Sequence, residues 1–131
     1  MEDPPLPHDL TGLQQEANTR LGMAAGQTLA VVQRLYERGY VSYPRTGCCH
    51  IPEDIFEQAP TLVAFLKGHP RFGRHAERLL EKGLNPHAVD GNSVTEHHAL
   101  LITGEVPEGL SPDEQNIYSL IAGRMLEAFS E

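Results

Sequence analysis

The sequence predicts a mainly α-helical domain with a helix-turn-helix or winged-helix-like outline and short extended segments around one tyrosine. Three observations support this fold class. Apolar residues recur at helical spacing in several separate stretches, glycine and proline mark the ends of those stretches, and the residues around Tyr43 have an extended pattern. At 131 residues the chain fits one domain that is long enough to bury a core.

The first two helices are predicted at residues 12–21 and 25–38. Thr11 and Gln14 fit a capping box at the start of the first helix, and Gly22 is its expected left-handed cap. The apolar stripe of the second helix consists of Leu29, Val32, Leu35 and Tyr36. Two helices joined by a short glycine turn and followed by an extended segment are typical of a helix-turn-helix with a wing-like strand.

Three further helices are predicted after the tyrosine. The first spans about residues 53–67, and the Ala59-Pro60 step predicts that it bends or divides there. The second spans about 71–82, and the third begins at Ser111, where serine, proline and glutamate form a strong helix start. Residues 94–102 are expected to form a short extended piece or a single helical turn.

The composition excludes some classes of function. The net charge is −8 and the pI is about 5.3, so the chain does not coat nucleic acid by charge alone, and any such role needs a small local site. No apolar run approaches the roughly 20 residues that span a bilayer, so no membrane partner is expected. Adjacent Cys48 and Cys49 provide neither a disulfide framework nor a zinc site, which favours a reducing, cytoplasmic compartment.

Tyr43 is the candidate nucleophile. Pro44 restricts it to extended backbone and provides no amide hydrogen for a strand, so Tyr43 should lie where an extended segment breaks into a loop. In an extended chain Arg45 points the same way, roughly 6.6 Å along, so one phosphodiester can contact both side chains. A phenol with a pKa near 10 needs a cation or a base close by, and Arg45 can provide the cation. The alternatives are half-buried packing for Tyr43 and a surface ion pair for Arg45.

His97 and His98 form the second candidate group. Adjacent residues face different ways on a strand or a helix, so the pair is a poor clamp for a metal ion. One of them can donate to a phosphate oxygen or move a proton, and the alternative is one packed and one solvated ring. Arg34, on the second predicted helix, either faces a nucleic-acid backbone or is solvated surface.

Several stretches match one family in the right order. They are residues 7–18 (PHDLTGLQQEAN), 28–37 (TLAVVQRLYE), 42–46 (SYPRT), 95–101 (TEHHALL) and 116–129. Through these stretches, which cover nearly the whole chain, it resembles the central part of type IA DNA topoisomerases and looks most like the topoisomerase III branch. Two positions depart from the family pattern: Gly47 stands where the family usually has aspartate, and Ile102 where it has proline.

The resemblance implies a mechanism. Tyr43 attacks a phosphodiester of single-stranded DNA and forms a transient 5′-phosphotyrosyl bond, Arg45 stabilises the scissile phosphate, and His97 contacts the phosphate region. The implied DNA-binding residues are Arg45, Thr46, His97, His98 and Arg34.

The resemblance also implies a larger parent protein. In the family a separate Toprim domain holds magnesium with an acidic cluster, so this fragment is expected to bind no metal or cofactor and to be inactive alone. Residues 1–131 are then one monomeric DNA-gate domain, residues 1–9 an extended hinge lead-in, and the two ends should lie close together. The expected partners are single-stranded DNA and the remaining domains, in the cytoplasm of a bacterium, at its nucleoid.

Two other functions compete with this one. The first is a non-catalytic helix-turn-helix module that binds DNA or another partner. The second is a relaxase-like nicking enzyme, which ranks last because adjacent His97 and His98 lack the spacing of that metal clamp.

Overall fold

The computed structural model describes residues 4–94 and 97–130, and these residues are mainly helical. The five α-helices are α1 (Leu10–Leu21), α2 (Ala25–Glu37), α3 (Glu53–Phe65), α4 (Gly73–Lys82) and α5 (Pro112–Ala128). Short 3-10 turns lie between α3 and α4 at Leu66–Gly68, and between α4 and α5 at Pro86–Ala88 and Gly91–Ser93. Within the described residues the β-structure consists of isolated bridges only, Val41 with Ile102 and Ile51 with Val89. The predicted mainly α fold with short extended segments is confirmed.

Helix α5 forms the centre of the domain, because α1, α2 and α4 all pack against it. Its buried side chains include Ile117, Ile121, Met125 and Leu126, and Phe129 follows at its end. The Phe129 ring meets Phe56 of α3 with centroids 5.8 Å apart. Burial of each such side chain contributes about 1.5–3 kcal/mol, so this core supplies much of the stability.

The predicted helix ends are partly confirmed. Gly22 caps α1 with φ of 67°, and Ser111 and Glu114 form a reciprocal capping box at α5. The capping box at Thr11 is wrong: α1 begins at Leu10, and the Asp9 carboxylate accepts from the Gly12 amide at 2.7 Å. Aspartate is as good a cap as threonine, and here it lies two residues before the predicted cap.

Pro60 does not divide α3, so of the predicted bend or division the division is excluded. The helix is continuous over its 13 residues, with Pro60 inside it. Ala59 and Val63 on either side are fully buried in the core. Packing of this face offsets the hydrogen bond that proline removes, because most helical stability in proteins comes from tertiary packing.

The described segments around the tyrosine are non-helical, in line with the predicted extended segment that breaks into a loop. Val41 forms an antiparallel bridge with Ile102, and residues 43 and 45–50 have no regular secondary structure. Residues 97–101 are likewise irregular, while Thr95 and Glu96 of the predicted 94–102 segment lie outside the described residues. Of the lead-in, the described residues 4–9 are non-helical, as predicted. None of the described helices is long and apolar enough to cross a membrane.

Candidate active site around Tyr43

Ser42 fastens the start of the tyrosine loop (residues 42–48) to the histidine segment (residues 97–102). Its amide donates to the Leu101 carbonyl at 2.9 Å, and its hydroxyl accepts from the Leu101 amide at 2.9 Å. The same hydroxyl donates to the Ala99 carbonyl at 3.3 Å. The residue before Tyr43 therefore has little freedom to move relative to the histidines.

Thr46 fastens the other side of the tyrosine loop. Its hydroxyl donates to the His97 carbonyl at 3.3 Å and accepts from the Cys48 amide at 3.1 Å. Its carbonyl accepts from the Leu10 amide at 3.0 Å, and only 5% of the residue is exposed. The Thr46 hydroxyl, predicted to contact DNA, thus lies inside the protein and joins the loop to the histidine backbone.

Between these two anchors, the Tyr43 ring contacts two other rings. The His97 ring lies against it with centroids 4.3 Å apart and planes tilted by 35°. The Tyr36 ring of α2 meets it edge-on, with centroids 5.3 Å apart at 82°. Tyr43 is half-buried and His97 is exposed, so one side of the pair faces solvent.

Tyr36 is a site residue that the sequence pattern did not reveal. The pattern placed it in the apolar stripe of α2, yet 38% of it is exposed, and its ring contacts Tyr43 instead of the core. The only hint in the sequence was the position of Tyr36 at the edge of the apolar stripe, next to Leu35, which is fully buried.

A cavity of about 260 Å³ opens beside the Tyr43 and His97 rings. Its walls are formed by Tyr43, Pro52, Asp54, Ile55, Val94, His97 and His98. Pockets for drug-sized ligands run from about 300 Å³, so this one suits part of a nucleotide. A larger cavity of about 670 Å³, bounded by residues 65–71 and 106–119, contains none of the predicted site residues.

His98 lines this cavity but is oriented by the backbone. Its Nδ1 lies 2.6 Å from the Ala99 carbonyl oxygen. A carbonyl only accepts, so Nδ1 carries the hydrogen in the neutral ring and Nε2 is left as an acceptor. The two histidines thus differ: His97 packs on the tyrosine, and His98 is fixed by its neighbour.

The two predicted arginines have different surroundings. Arg45 is exposed and forms no ion pair with any described residue, which leaves its guanidinium free for an anion. Arg34 has its Nε 3.9 Å from a Glu114 carboxylate oxygen, which Arg38 also approaches at 3.4 Å. Half of the Arg34 side chain is still exposed, but no contact brings it to the Tyr43 rings.

The described residues contain no cluster of side chains typical of a metal site. Nowhere in 4–94 or 97–130 do three His, Cys, Asp or Glu side chains lie close enough together to hold a metal. Magnesium in proteins is bound through carboxylates and substrate phosphates, and among the described residues that line the Tyr43 cavity Asp54 is the one acid. No catalytic step is therefore assigned to a metal held by these residues.

Comparison with known proteins decides the family. A family model described as DNA topoisomerase matches residues 1–131. The chain belongs to this family. The relatives are type IA enzymes, so the resemblance seen in the sequence is confirmed.

Individual relatives cover nearly all of this topoisomerase chain. It is 40% identical over 129 residues to DNA topoisomerase 1 of Methanothermobacter thermautotrophicus, covering 98% of the chain and 17% of the relative. It is 39% identical to DNA topoisomerase 3 of Bacillus licheniformis, covering 91% and 17%. The solved structure of full-length topoisomerase I from Thermotoga maritima matches with a TM-score of 0.68 and 25% identity, over 97% of this chain and 20% of that one. The chain thus spans about a fifth or less of these relatives.

Proposed function

We propose that the chain is the tyrosine-bearing domain of a larger, topoisomerase III-like type IA enzyme, which cleaves and rejoins single-stranded DNA through Tyr43. The contact between the Tyr43 and His97 rings carries this proposal, because it unites the two motifs that the family resemblance singled out. The solvent-facing side of the pair and the adjoining cavity leave room for a DNA strand.

The chemical step exchanges one phosphodiester for another. The phenolic oxygen of Tyr43 attacks phosphorus, a tyrosine O–P bond forms, and the bond from phosphorus to the 3′ oxygen breaks. The phenolic proton ends on the 3′ oxygen, which leaves as a hydroxyl. The reverse reaction rejoins the strand. Since one ester bond replaces another, the step needs no ATP.

Arg45 and His97 assist this step. The exposed Arg45 guanidinium binds the non-bridging oxygens of the scissile phosphate and stabilises charge that develops in the transition state. The His97 ring, next to the phenol, donates to the phosphate or moves a proton. His98 and Arg34 contact the strand farther from phosphorus. Thr46 acts mainly by holding the tyrosine loop on the histidine segment.

Magnesium, in this proposal, is supplied by a Toprim domain elsewhere in the parent, and the 131-residue domain is a monomer that is inactive alone. Most of the DNA affinity must also come from other domains, because the chain has a net charge of −8. The proposed location is the nucleoid, in the cytoplasm of a bacterium.

A covalent-capture assay tests the proposal. The chain is mixed with labelled single-stranded DNA and magnesium, with and without a Toprim-containing fragment of the same parent, then denatured and examined for a DNA-linked band. We expect a band only with the added fragment. Tyr43→Phe should abolish it, whereas Tyr36→Phe, the same change in the neighbouring ring, should retain it. A band with Tyr43→Phe would contradict the assignment.

Gly47 provides the second arm of this assay. A Cβ atom at Gly47 meets nothing within 4 Å, so Gly47→Asp introduces the family carboxylate without a clash. If wild type gives no band and Gly47→Asp does, Tyr43 is a nucleophile weakened by the missing acid. If neither gives a band while both pieces are folded and associated, the chain is the non-catalytic helix-turn-helix module instead.

A further inference from the structure

The lead-in and the residue that follows it are hydrogen-bonded to the two halves of the candidate active site. The His8 carbonyl accepts from the Leu100 amide of the histidine segment at 2.8 Å. The Leu10 amide, where α1 begins, donates to the Thr46 carbonyl of the tyrosine loop at 3.0 Å. The Thr46 hydroxyl donates to the His97 carbonyl, which closes a ring of hydrogen bonds around the site.

The His8 side chain fixes the lead-in to α1. Its Nε2 lies 2.7 Å from a carboxylate oxygen of Glu16, whose other oxygen is 3.1 Å from the Arg20 Nε. A carboxylate only accepts, so Nε2 carries the hydrogen. The residue is 3% exposed, and the Arg124 Nε donates to the nearby Leu6 carbonyl at 2.7 Å, which ties the same segment to α5.

The surroundings of His8 favour a neutral ring that is held in one position. Burial, opposed by the hydrogen bond to Glu16, lowers the pKa of His8 below its usual range. A Cβ atom on Gly12 would lie 3.0 Å from both the His8 Nδ1 and the Asp9 carboxylate, so the first turn of α1 closes tightly over the imidazole. Small displacements of the ring therefore shift the backbone of the lead-in.

We infer that His8 is a positioning residue, whose ring locks the lead-in to Glu16 so that the lead-in sets the spacing between the Tyr43 loop and the His97 segment. This inference rests on the proposed function. The hydrogen-bonded positions are close in sequence to both His97 and Tyr43. Leu100, three residues after His97, is bonded to the lead-in itself, and Thr46, three residues after Tyr43, is bonded to Leu10, the residue that directly follows the lead-in.

Two substitutions at His8 separate its hydrogen bond from its bulk. His8→Phe keeps a ring but cannot donate to Glu16, and His8→Gln keeps a donor in the side chain. In the capture assay with the Toprim-containing fragment, we expect His8→Phe to lower the adduct-formation rate at saturating DNA roughly tenfold or more, with the DNA concentration for half-maximal rate little changed. His8→Gln should recover most of that rate.

The matched control is His75→Phe. The His75 ring is half-buried, whereas His8 is buried, and it is likewise hydrogen-bonded, to the Ser130 hydroxyl at 2.9 Å, but it belongs to α4 and has no bond to the lead-in. Its rate should stay near that of wild type. Equal losses in His75→Phe and His8→Phe would show a general loss of stability and overturn the inference.

A second readout does not depend on activity. The imidazole protons of His97 feel the ring current of Tyr43, so their NMR shifts in the isolated chain report the 4.3 Å contact. His8→Phe should move these shifts and His8→Gln restore them. If His8→Phe does not fold, Glu16→Met takes its place: it removes the acceptor of the His8 hydrogen bond and should likewise move the His97 shifts. Unmoved shifts in the folded variants overturn the inference, whereas moved shifts with no adduct from wild type contradict only the proposed function.

Discussion

The Tyr43 phenol and the His97 imidazole lie against each other, with ring centroids 4.3 Å apart and planes tilted by 35°. Hydrogen bonds on both sides of Tyr43, one from the Ser42 amide and one from the Thr46 hydroxyl, produce this arrangement. Ser42 bonds to Leu101, and Thr46 bonds to the carbonyl of His97 itself. Hydrogen bonds of the neighbouring residues therefore hold the two rings in position, as a preorganised site requires.

The ring contact predicts different roles for the two histidines. In the parent enzyme, His97→Ala should lower the single-turnover rate of adduct formation by about 10²-fold, the lower range for loss of a proton-transfer group. His98→Ala should cost less, because that ring is bonded to the Ala99 carbonyl, whereas the imidazole that packs on Tyr43 is that of His97. Rapid-quench measurement of the denatured adduct checks this. Equal losses in both variants would refute the distinction.

Thr46→Val tests the inner anchor of the tyrosine loop. Valine has nearly the same shape as threonine but leaves the His97 carbonyl and the Cys48 amide without their partner. We expect a loss of about 1–3 kcal/mol in the free energy of unfolding, measured by urea denaturation. Thr46→Ser keeps the hydroxyl and should lose less. A Thr46→Val protein as stable as wild type would show that this hydroxyl is not an anchor.

Glu114 predicts a component of acid sensitivity. The Ser111 amide, which donates to its carboxylate at 2.9 Å, is the main cause that lowers the pKa of Glu114 from 4.5, and Arg38 and Arg34 add to it. A carboxyl with a lower pKa in the folded state stabilises the fold above its unfolded pKa. That stability is lost as the pH falls through the folded pKa.

Glu114→Gln removes the titration while keeping a similar shape. Its free energy of unfolding should fall less between pH 7 and about pH 3 than that of wild type, by urea denaturation at each pH. Ser111→Ala is the control for the cap alone and should cost about 1 kcal/mol at neutral pH. If the free energy of unfolding of Glu114→Gln has the same pH dependence as that of wild type, Glu114 does not contribute to the acid sensitivity.

Local signals in the sequence located most helix ends. Ser111 with Glu114 and Gly22 act within one turn of the chain, so their effects can be predicted without knowing the fold. The local signals misplaced the start of α1 and allowed a division of α3 that does not occur. Asp9 caps α1 instead of Thr11, and Pro60 stays inside α3 because the flanking residues are buried.

The sequence by itself determined the family, the mainly helical class and the break in the chain at Tyr43, since motif order, periodicity and the geometry of proline are properties of neighbouring residues. Only the tertiary structure decided which side chains surround Tyr43. Tyr36 beside its ring, the inward Thr46 hydroxyl and the buried His8 depend on contacts between different elements, of which the Thr46–His97 contact joins residues 51 apart in the chain. Such contacts are set by the packing of helices on α5, and no local pattern encodes them.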